Sequence, residues 1–182
     1  MILLPRTLLN SSLLWPQWIT VALLLLSVST VAVCAEKPAA DPALLSLLKQ
    51  AAAEADSFDN QYDAEVWLVE KEPALARLVK DPVQRISLLK LIHREASRAG
   101  LSPEIVLALI EVESHFDSYA VSSAGAQGMM QVMPFWKHEI GRPEDNLINI
   151  QTNLRYGCTI LKYYLDREKG RLADALARYN GC

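Results

Sequence analysis

From residue 40 onward, apolar residues recur at the three- to four-residue spacing of helices. No segment in this part alternates apolar and polar residues, as a half-buried strand would. A hydrophobic content of 51% with 21% charged residues is typical of a globular chain. The pattern therefore predicts a mostly α-helical domain.

Proline, glycine and capping residues set the expected limits of the helices. Asp81 and Ser102 are each followed by a proline, which is typical of a helix N-terminus, and Gly100 is suited to end the helix between them. Asn149 is a candidate N-cap for a long helix. We predict helices at 42–56, 64–69, 73–79, 82–99, 103–115, 128–133, 135–140, 150–169 and 171–179.

The first 35 residues have the features of a secretory signal. Arg6 is their only charge, an apolar run of about 15 residues follows, and Val33 and Ala35 are the small residues expected before a cleavage site. We predict a signal peptide that is cleaved after Ala35, with an uncleaved membrane anchor as the alternative. Residues 36–80 are then a helical N-terminal extension, and 81–182 form the main domain.

The charge of the chain restricts its partners. The formal net charge is −3, and cleavage of the signal removes the positive charge of Arg6, which makes the net charge more negative by one. Nucleic acid is disfavoured as a partner because phosphate binding needs a basic face. An exported, mildly acidic domain is suited to a substrate that is bound by shape and hydrogen bonds. The sequence carries no signal for an oligomeric state.

The cysteines and histidines do not indicate a metal site. Cys158 falls within an apolar helical stripe, which favours a buried apolar role, and a disulfide with Cys182 is the alternative. No CxxC or HExxH motif occurs, and the three histidines are scattered. We therefore expect no metal and no organic cofactor.

The helix predicted at 103–115 places one carboxylate on its apolar side. At about 100° per residue, Glu111 and His115 fall within about 20° of Glu104 and form the wet face, whereas Glu113 lies opposite among apolar residues. Burial there raises the pKa of a carboxyl group, which can then hold a proton near neutral pH and act as a general acid. The alternative is a structural glutamate that is paired with a buried arginine or a backbone donor.

A turn-rich segment follows this helix. Residues 116–126 are rich in serine and glycine and predict a loop in which the backbone can approach other groups closely. Gln131 offers an amide donor and acceptor, and Met129, Met130 and Met133 offer adaptable apolar surface. Either the methionines fill the core, or together with Gln131 they form one wall of a groove suited to a sugar chain.

Two blocks of the sequence lie close together. They are Glu-Ser-His-Phe at 113–116 and Ala-Val-Ser-Ser-Ala-Gly-Ala-Gln-Gly-Met-Met-Gln-Val-Met-Pro at 120–134. Together they resemble the signature of the soluble lytic transglycosylase family. Residues 149–161 and 177–181 are similar to a later helix and to an Ala-x-Tyr-Asn-x-Gly segment of that family. The resemblance covers roughly residues 85–181, and the spacing of its blocks is specific. It implies a lysozyme-like helical catalytic domain within 81–182.

The resemblance also implies a function. Family members cleave the β-1,4 bond between N-acetylmuramic acid and N-acetylglucosamine in peptidoglycan glycan strands and form 1,6-anhydromuramic ends, which places the protein in the periplasm or cell envelope. By the matching positions, Glu113 is the single general acid and base. The same resemblance assigns substrate binding to Ser114, Met130, Gln131, Tyr179 and Asn180.

The sequence also differs from the family pattern at several positions. Ser118 and Met129 replace a proline and a leucine that are common in the family, and family members generally continue beyond the position of Cys182, so we expect a C-terminally shortened fold. A non-catalytic peptidoglycan-binding or assembly protein and a hydrolytic muramidase are therefore the alternatives. A muramidase usually needs a second carboxylate, and Asp117 is better suited to form a turn.

Overall fold

The computed structural model describes residues 41–181, and seven helices make up the regular structure within this range. In chain order they are α1 (Pro42–Ala53), α2 (Gln61–Leu75), α3 (Pro82–Ala99), α4 (Pro103–Ser114), α5 (Trp136–Ile140), α6 (Ile150–Arg167) and α7 (Leu172–Tyr179). Isolated bridges that involve Val121, Gln127 and Val132 are the only β-type pairing in this range. The prediction of a mostly helical fold is confirmed.

Three of the predicted helix ends are confirmed by hydrogen bonds or backbone angles. The Asp81 carboxylate accepts a hydrogen bond from the backbone N–H of Val83 at 3.1 Å, and the Asn149 side chain accepts one from Thr152 at 3.0 Å. Gly100 ends α3 with a φ of 68°. These caps satisfy backbone groups that have no partner within their own helix.

Ser102 precedes α4 as predicted, but its hydroxyl group does not cap the backbone. The hydroxyl group donates instead to the carboxylate of Glu104 at 2.7 Å. The same carboxylate accepts a hydrogen bond from the indole N–H of Trp67 at 2.9 Å. These two hydrogen bonds lower the pKa of Glu104 to about 2. Because Trp67 belongs to α2, the contact links α2 to the start of α4.

The prediction of two short helices at 64–69 and 73–79 is wrong. α2 is one continuous helix that includes Pro73. A proline has no N–H and removes one hydrogen bond from a helix. Pro73 lies in the last turn of α2, which ends at Leu75, so nearly all of the hydrogen bonds of this helix form upstream of it.

A buried ion pair fixes the predicted extension against α3. Glu72 and Arg85 are both buried, and Arg85 Nε donates to the Glu72 carboxylate at 2.5 Å. Arg85 also donates to the backbone carbonyls of Val79 and Lys80, at 2.9 and 2.8 Å. A buried guanidinium needs such partners for its donors. The cluster therefore holds the segment between α2 and α3 in place.

α6 lies in the centre of the apolar core and packs against α3 and α7. Leu154, Cys158 and Leu161 on its inner face are fully buried. Burial raises the pKa of the Cys158 thiol to about 12, and the interpretation of this residue as a buried apolar side chain is confirmed. Its predicted alternative partner, Cys182, lies outside the described residues.

The predicted signal peptide also lies outside the described residues. Among the helices at 41–181, none combines the length and the apolar character needed to cross a bilayer.

Candidate active site

Glu113 lies near the end of α4, on the apolar side of the helix where the sequence places it. Val106, Leu109 and Ile110 on the same side are buried, and the Glu113 side chain is half-buried. Burial raises the pKa of its carboxyl group. Within residues 41–181 this carboxyl group makes no hydrogen bond and no ion pair, so the alternative of a paired, structural glutamate is not observed there.

α4 ends just after Glu113 because the next residues take a left-handed backbone conformation. His115 and Phe116 have φ angles of 51° and 64°, which are uncommon for residues with a side chain. The ring of Phe116 is buried, and the N–H of His115 bonds to the carbonyl of Glu111 at 3.1 Å. Unfavourable backbone of this kind is frequent at functional sites.

A tight turn lies against the end of α4, and the prediction of a helical piece at 128–133 is wrong. Gln127 and Val132 exchange two backbone hydrogen bonds of 3.0 Å, which close the turn. Gly128 has a φ of 73°, and a Cβ atom there would collide with the side chain of Asn153. A left-handed residue at this position is incompatible with a regular right-handed helix.

The buried amide of Asn153 holds this turn on α6. Its oxygen accepts a hydrogen bond from the backbone N–H of Met130, and its nitrogen donates to the carbonyls of Gln127 and Leu147, each at 2.8 Å. The side chain is fully buried. Asn153 is not among the residues that the sequence predicts for the site. A polar side chain on the apolar face of α6 is the signal that identifies it.

The expectation that Met130 forms a groove wall is not met. Its side chain is fully buried and packs against Gly157 of α6, where a Cβ atom would lie 2.7 Å from Met130 Cβ. Met130 therefore fills the core, as one of the two interpretations of the methionines predicts. The residue contributes its backbone carbonyl to the site.

Ser114 and Gln131 hold the turn from its two sides. The Ser114 hydroxyl donates to the carbonyl of Met129 at 2.8 Å. Gln131, with a φ of 46°, donates from its side-chain nitrogen to the carbonyls of Gly128 at 2.9 Å and Ala120 at 3.3 Å. The donors of both side chains are thus used within the protein.

Tyr179 brings α7 to the same place. Its hydroxyl group donates to the carbonyl of Met130 at 2.7 Å. Burial of this hydroxyl, and to a smaller extent the negative charge of Glu113, raise its pKa well above the ordinary range. Ser114, the residue after Glu113, and Tyr179 thus contact the same turn, at the neighbouring carbonyls of Met129 and Met130. Asn180 follows as the C-cap of α7, and its side chain is exposed.

Other carboxylates near Glu113 in the sequence have different roles. The Asp117 carboxylate accepts a hydrogen bond from the backbone N–H of Tyr119 at 2.8 Å, which confirms its interpretation as a turn former. Glu111 is exposed. The described part of the chain contains no group of three metal-ligating side chains. The site can therefore supply one desolvated carboxyl group, which is suited to proton transfer.

Comparison with known proteins identifies similar sequences. Three relatives are each named membrane-bound lytic murein transglycosylase C. The protein of Actinobacillus pleuropneumoniae serotype 5b is 50% identical over 46 residues, which are 25% of this chain and 13% of the relative. The Histophilus somni strain 2336 protein is 37% identical over 86 residues, 46% of this chain and 22% of the relative. The Haemophilus influenzae strain PittEE protein is 39% identical over 70 residues, 38% of this chain and 18% of the relative.

The chain thus spans only 13% to 22% of the length of these relatives. A family model described as Transglycosylase SLT domain matches residues 90–182, just over half of the chain. The matched range includes Glu113, the turn around Met130, and Tyr179. The chain therefore belongs to the transglycosylase SLT domain family.

Proposed function

We propose that this chain is a peptidoglycan lytic transglycosylase that cleaves the β-1,4 bond between N-acetylmuramic acid and N-acetylglucosamine and leaves 1,6-anhydromuramic ends. Family membership and the names of the relatives, which are lytic murein transglycosylases, support this class of reaction. The observation that carries the proposal is the Glu113 carboxyl group, which is half-buried, has no partner within residues 41–181, and lies next to the turn that Ser114 and Tyr179 both contact.

In the first step, Glu113 acts as a general acid. Its raised pKa keeps the carboxyl group protonated at a higher pH than an exposed glutamate. The proton passes to the glycosidic oxygen while the bond between this oxygen and the anomeric carbon of muramic acid breaks. The N-acetylglucosamine unit then leaves as an alcohol.

In the second step, the Glu113 carboxylate acts as a general base. It accepts the proton of the muramic acid 6-hydroxyl group, and the oxygen of that group forms the new bond to the anomeric carbon. The proton that Glu113 lost is thereby replaced, and no water is consumed. One carboxyl group is sufficient for both steps, whereas hydrolysis usually employs two.

Tyr179 is suited to position the reacting proton. Because its hydroxyl proton is donated to the Met130 carbonyl, the Tyr179 oxygen acts toward the site as a hydrogen-bond acceptor. It can accept a hydrogen bond from the protonated Glu113 or from a sugar hydroxyl. Tyr179 is therefore assigned to positioning, and Ser114 and Gln131 to holding the turn, with the Gln131 amide oxygen available to the glycan.

The cell envelope is the location that fits this activity. The relatives are named as membrane-bound proteins, and peptidoglycan lies outside the cytoplasmic membrane. The periplasmic location and the membrane attachment through the N-terminal segment are part of this proposal.

Product analysis of digested peptidoglycan sacculi tests the function. We expect the full chain to release products with 1,6-anhydromuramic ends, and Glu113→Gln to be slower by about 100- to 10,000-fold. Glu111→Gln, an exposed residue two positions earlier, is the matched control and should retain the wild-type rate.

Two other outcomes would contradict the proposal. Products with reducing muramic acid ends would identify a hydrolytic muramidase. Equal binding of sacculi by the wild type and Glu113→Gln, with no cleavage by either, would identify a non-catalytic binding or assembly protein.

A further inference from the structure

A cleft of about 410 Å³ beside α6 is lined by three arginines. Two of them are fixed by the buried carboxylate of Glu95, to which Arg98 Nε donates at 2.6 Å and Arg155 Nη2 at 3.2 Å. Arg98 Nη2 also donates to the hydroxyl of Thr159 at 3.0 Å. One carboxylate neutralises one of these two charges, so the fixed pair presents net positive charge to the cleft.

Arg142 adds a third guanidinium to the same cleft. Its side chain is exposed, and its Nε lies 3.5 Å from the carboxylate of Asp145 and 3.9 Å from that of Glu144. Asp145 lines the same cleft, and its carboxylate also accepts a hydrogen bond of 2.6 Å from the hydroxyl of Tyr156. Arg142 is thus loosely paired, and the planar fork of its terminal nitrogens is suited to bind a carboxylate by two parallel hydrogen bonds.

A second cleft, of about 420 Å³, adjoins the first and shares Ile140 and Thr159 with it. Phe135 and Tyr163 in this cleft are 53% and 52% exposed. The ring of Trp136 lies beside Phe135, with a centroid distance of 5.0 Å. Partly exposed aromatic rings around a concavity offer flat apolar faces to a ligand that also carries polar groups.

We propose that the two clefts form one binding site for a muropeptide, the peptide-bearing sugar unit of peptidoglycan. The sugar ring lies on the aromatic side chains, and a free carboxylate of the peptide binds the arginines. The choice of ligand rests on the proposed function. Glu113, Gln131 and Tyr179 line neither cleft, so the site is separate from the proposed catalytic centre. A second attachment point increases the overall affinity for a polymeric substrate.

An NMR titration of the full chain tests the proposal. The chain carries Glu113→Gln to suppress cleavage, and binding is followed through the indole N–H signal of Trp136, which reports on the aromatic cleft. The ligands are a disaccharide–tetrapeptide and the same disaccharide without its peptide. We expect Arg142→Ala to weaken binding of the peptide-bearing ligand about fivefold and to leave the peptide-free ligand unaffected. Phe135→Ala should weaken the binding of both ligands equally.

Matched controls lie on exposed positions outside both clefts. Arg77→Ala makes the same charge change as Arg142→Ala, and Tyr62→Ala removes an exposed aromatic ring, so neither should alter binding at Trp136. The proposal is overturned if Arg142→Ala leaves the affinity for the peptide-bearing ligand unchanged, or if it lowers the affinity for both ligands equally.

A membrane contact is the competing use of an arginine-rich and aromatic surface. If Arg142→Ala abolishes binding to phosphatidylglycerol vesicles but not to the muropeptide, the surface contacts lipid and the proposal is wrong. The two proposals fail separately. Full cleavage of sacculi by Glu113→Gln refutes the proposed catalytic role alone. An unchanged affinity of Arg142→Ala for the peptide-bearing ligand refutes the muropeptide site alone.

Discussion

The hydroxyl group of Tyr179 donates a hydrogen bond of 2.7 Å to the carbonyl oxygen of Met130. This contact joins α7 to the turn that follows α4. From the other side, the hydroxyl of Ser114 donates to the carbonyl of Met129 at 2.8 Å. The position of the turn, and with it the surroundings of the Glu113 carboxyl group, depends on both hydrogen bonds.

Substitution Tyr179→Phe removes the hydroxyl and keeps the ring. The Met130 carbonyl then loses its donor, which should lower the free energy of unfolding by about 1 kcal/mol. In the proposed mechanism the Tyr179 oxygen accepts a hydrogen bond from the protonated Glu113 or from a sugar hydroxyl, so we expect kcat to fall about tenfold with a smaller change in KM. Urea unfolding and the rate of sacculus cleavage measure the two effects.

Tyr164→Phe is the matched control for this substitution. Its ring packs at right angles to Trp136, and no residue within 41–181 forms a hydrogen bond with its hydroxyl group. We therefore expect little change in stability or kcat. Equal losses in the two variants would show that the Met130 contact has no special role.

The raised pKa of Glu113 predicts a pH-dependent cost to stability. The folded protein holds a proton on this carboxyl group at pH values where the unfolded chain has already released it, so the free energy of unfolding falls as the pH rises through that interval. Glu113→Gln removes the cost. The variant should therefore melt at a higher temperature than the wild type near neutral pH and at the same temperature below the ordinary pKa of glutamate.

Thermal unfolding across the pH range measures this difference, and Glu111→Gln provides the comparison. Glu111 is exposed on the opposite face of α4, so its substitution makes the same change of residue type without removing a desolvated group. A difference in Tm between Glu113→Gln and the wild type that stays constant across the pH range would contradict the desolvation of this carboxyl group.

The helices and the position of Glu113 were predictable because both depend on local signals. A capping side chain such as Asp81 or Asn149 acts on backbone groups two or three residues away. The apolar face of α4 is set by a period of 3.6 residues, so the sequence alone places Glu113 on it. Glu113 stands out in the sequence because an ionisable side chain is unexpected on the apolar face of a helix.

The turn around Met130 was not predictable because its determinants are distant in the sequence. Asn153 reaches it from α6, and Tyr179 from α7. Left-handed backbone at Gln131 has no local signal of the kind that a glycine provides. Continuity of α2 to Leu75 likewise contradicts the local preference of proline for the first turn of a helix, which would start a new helix at Pro73.

The role of Asn153 in fixing the turn predicts a large effect of Asn153→Asp. The carboxylate keeps an acceptor for the Met130 N–H but has no donor for the carbonyls of Gln127 and Leu147. We expect a loss of about 3 kcal/mol in the free energy of unfolding at neutral pH. The loss should diminish on acidification, because a protonated aspartate regains one donor.

Urea unfolding at neutral and acidic pH measures this change, with Asn146→Asp as the matched control. The exposed Asn146 side chain accepts a hydrogen bond from the N–H of Ile148 at 2.9 Å, a role that a carboxylate can fill. A loss for Asn153→Asp that is small or independent of pH would contradict the assignment of its amide nitrogen as the donor to the turn.

Gly157 sets the distance between α6 and the turn, and Gly157→Ala should destabilise the protein. Alanine favours a helix over glycine by up to about 1 kcal/mol, but the new Cβ atom would lie 2.7 Å from Met130 Cβ and collide with its sulfur. Such overpacking costs about 1–3 kcal/mol, so a net loss is expected. Combining it with Met130→Ala removes every side-chain atom of Met130 beyond Cβ, including the sulfur, and the double variant should lose about 1 kcal/mol less than the two single variants together. Urea unfolding of the four proteins gives this coupling energy directly. Additive losses, or a Gly157→Ala protein more stable than the wild type, would show that the close contact between α6 and Met130 does not position the turn.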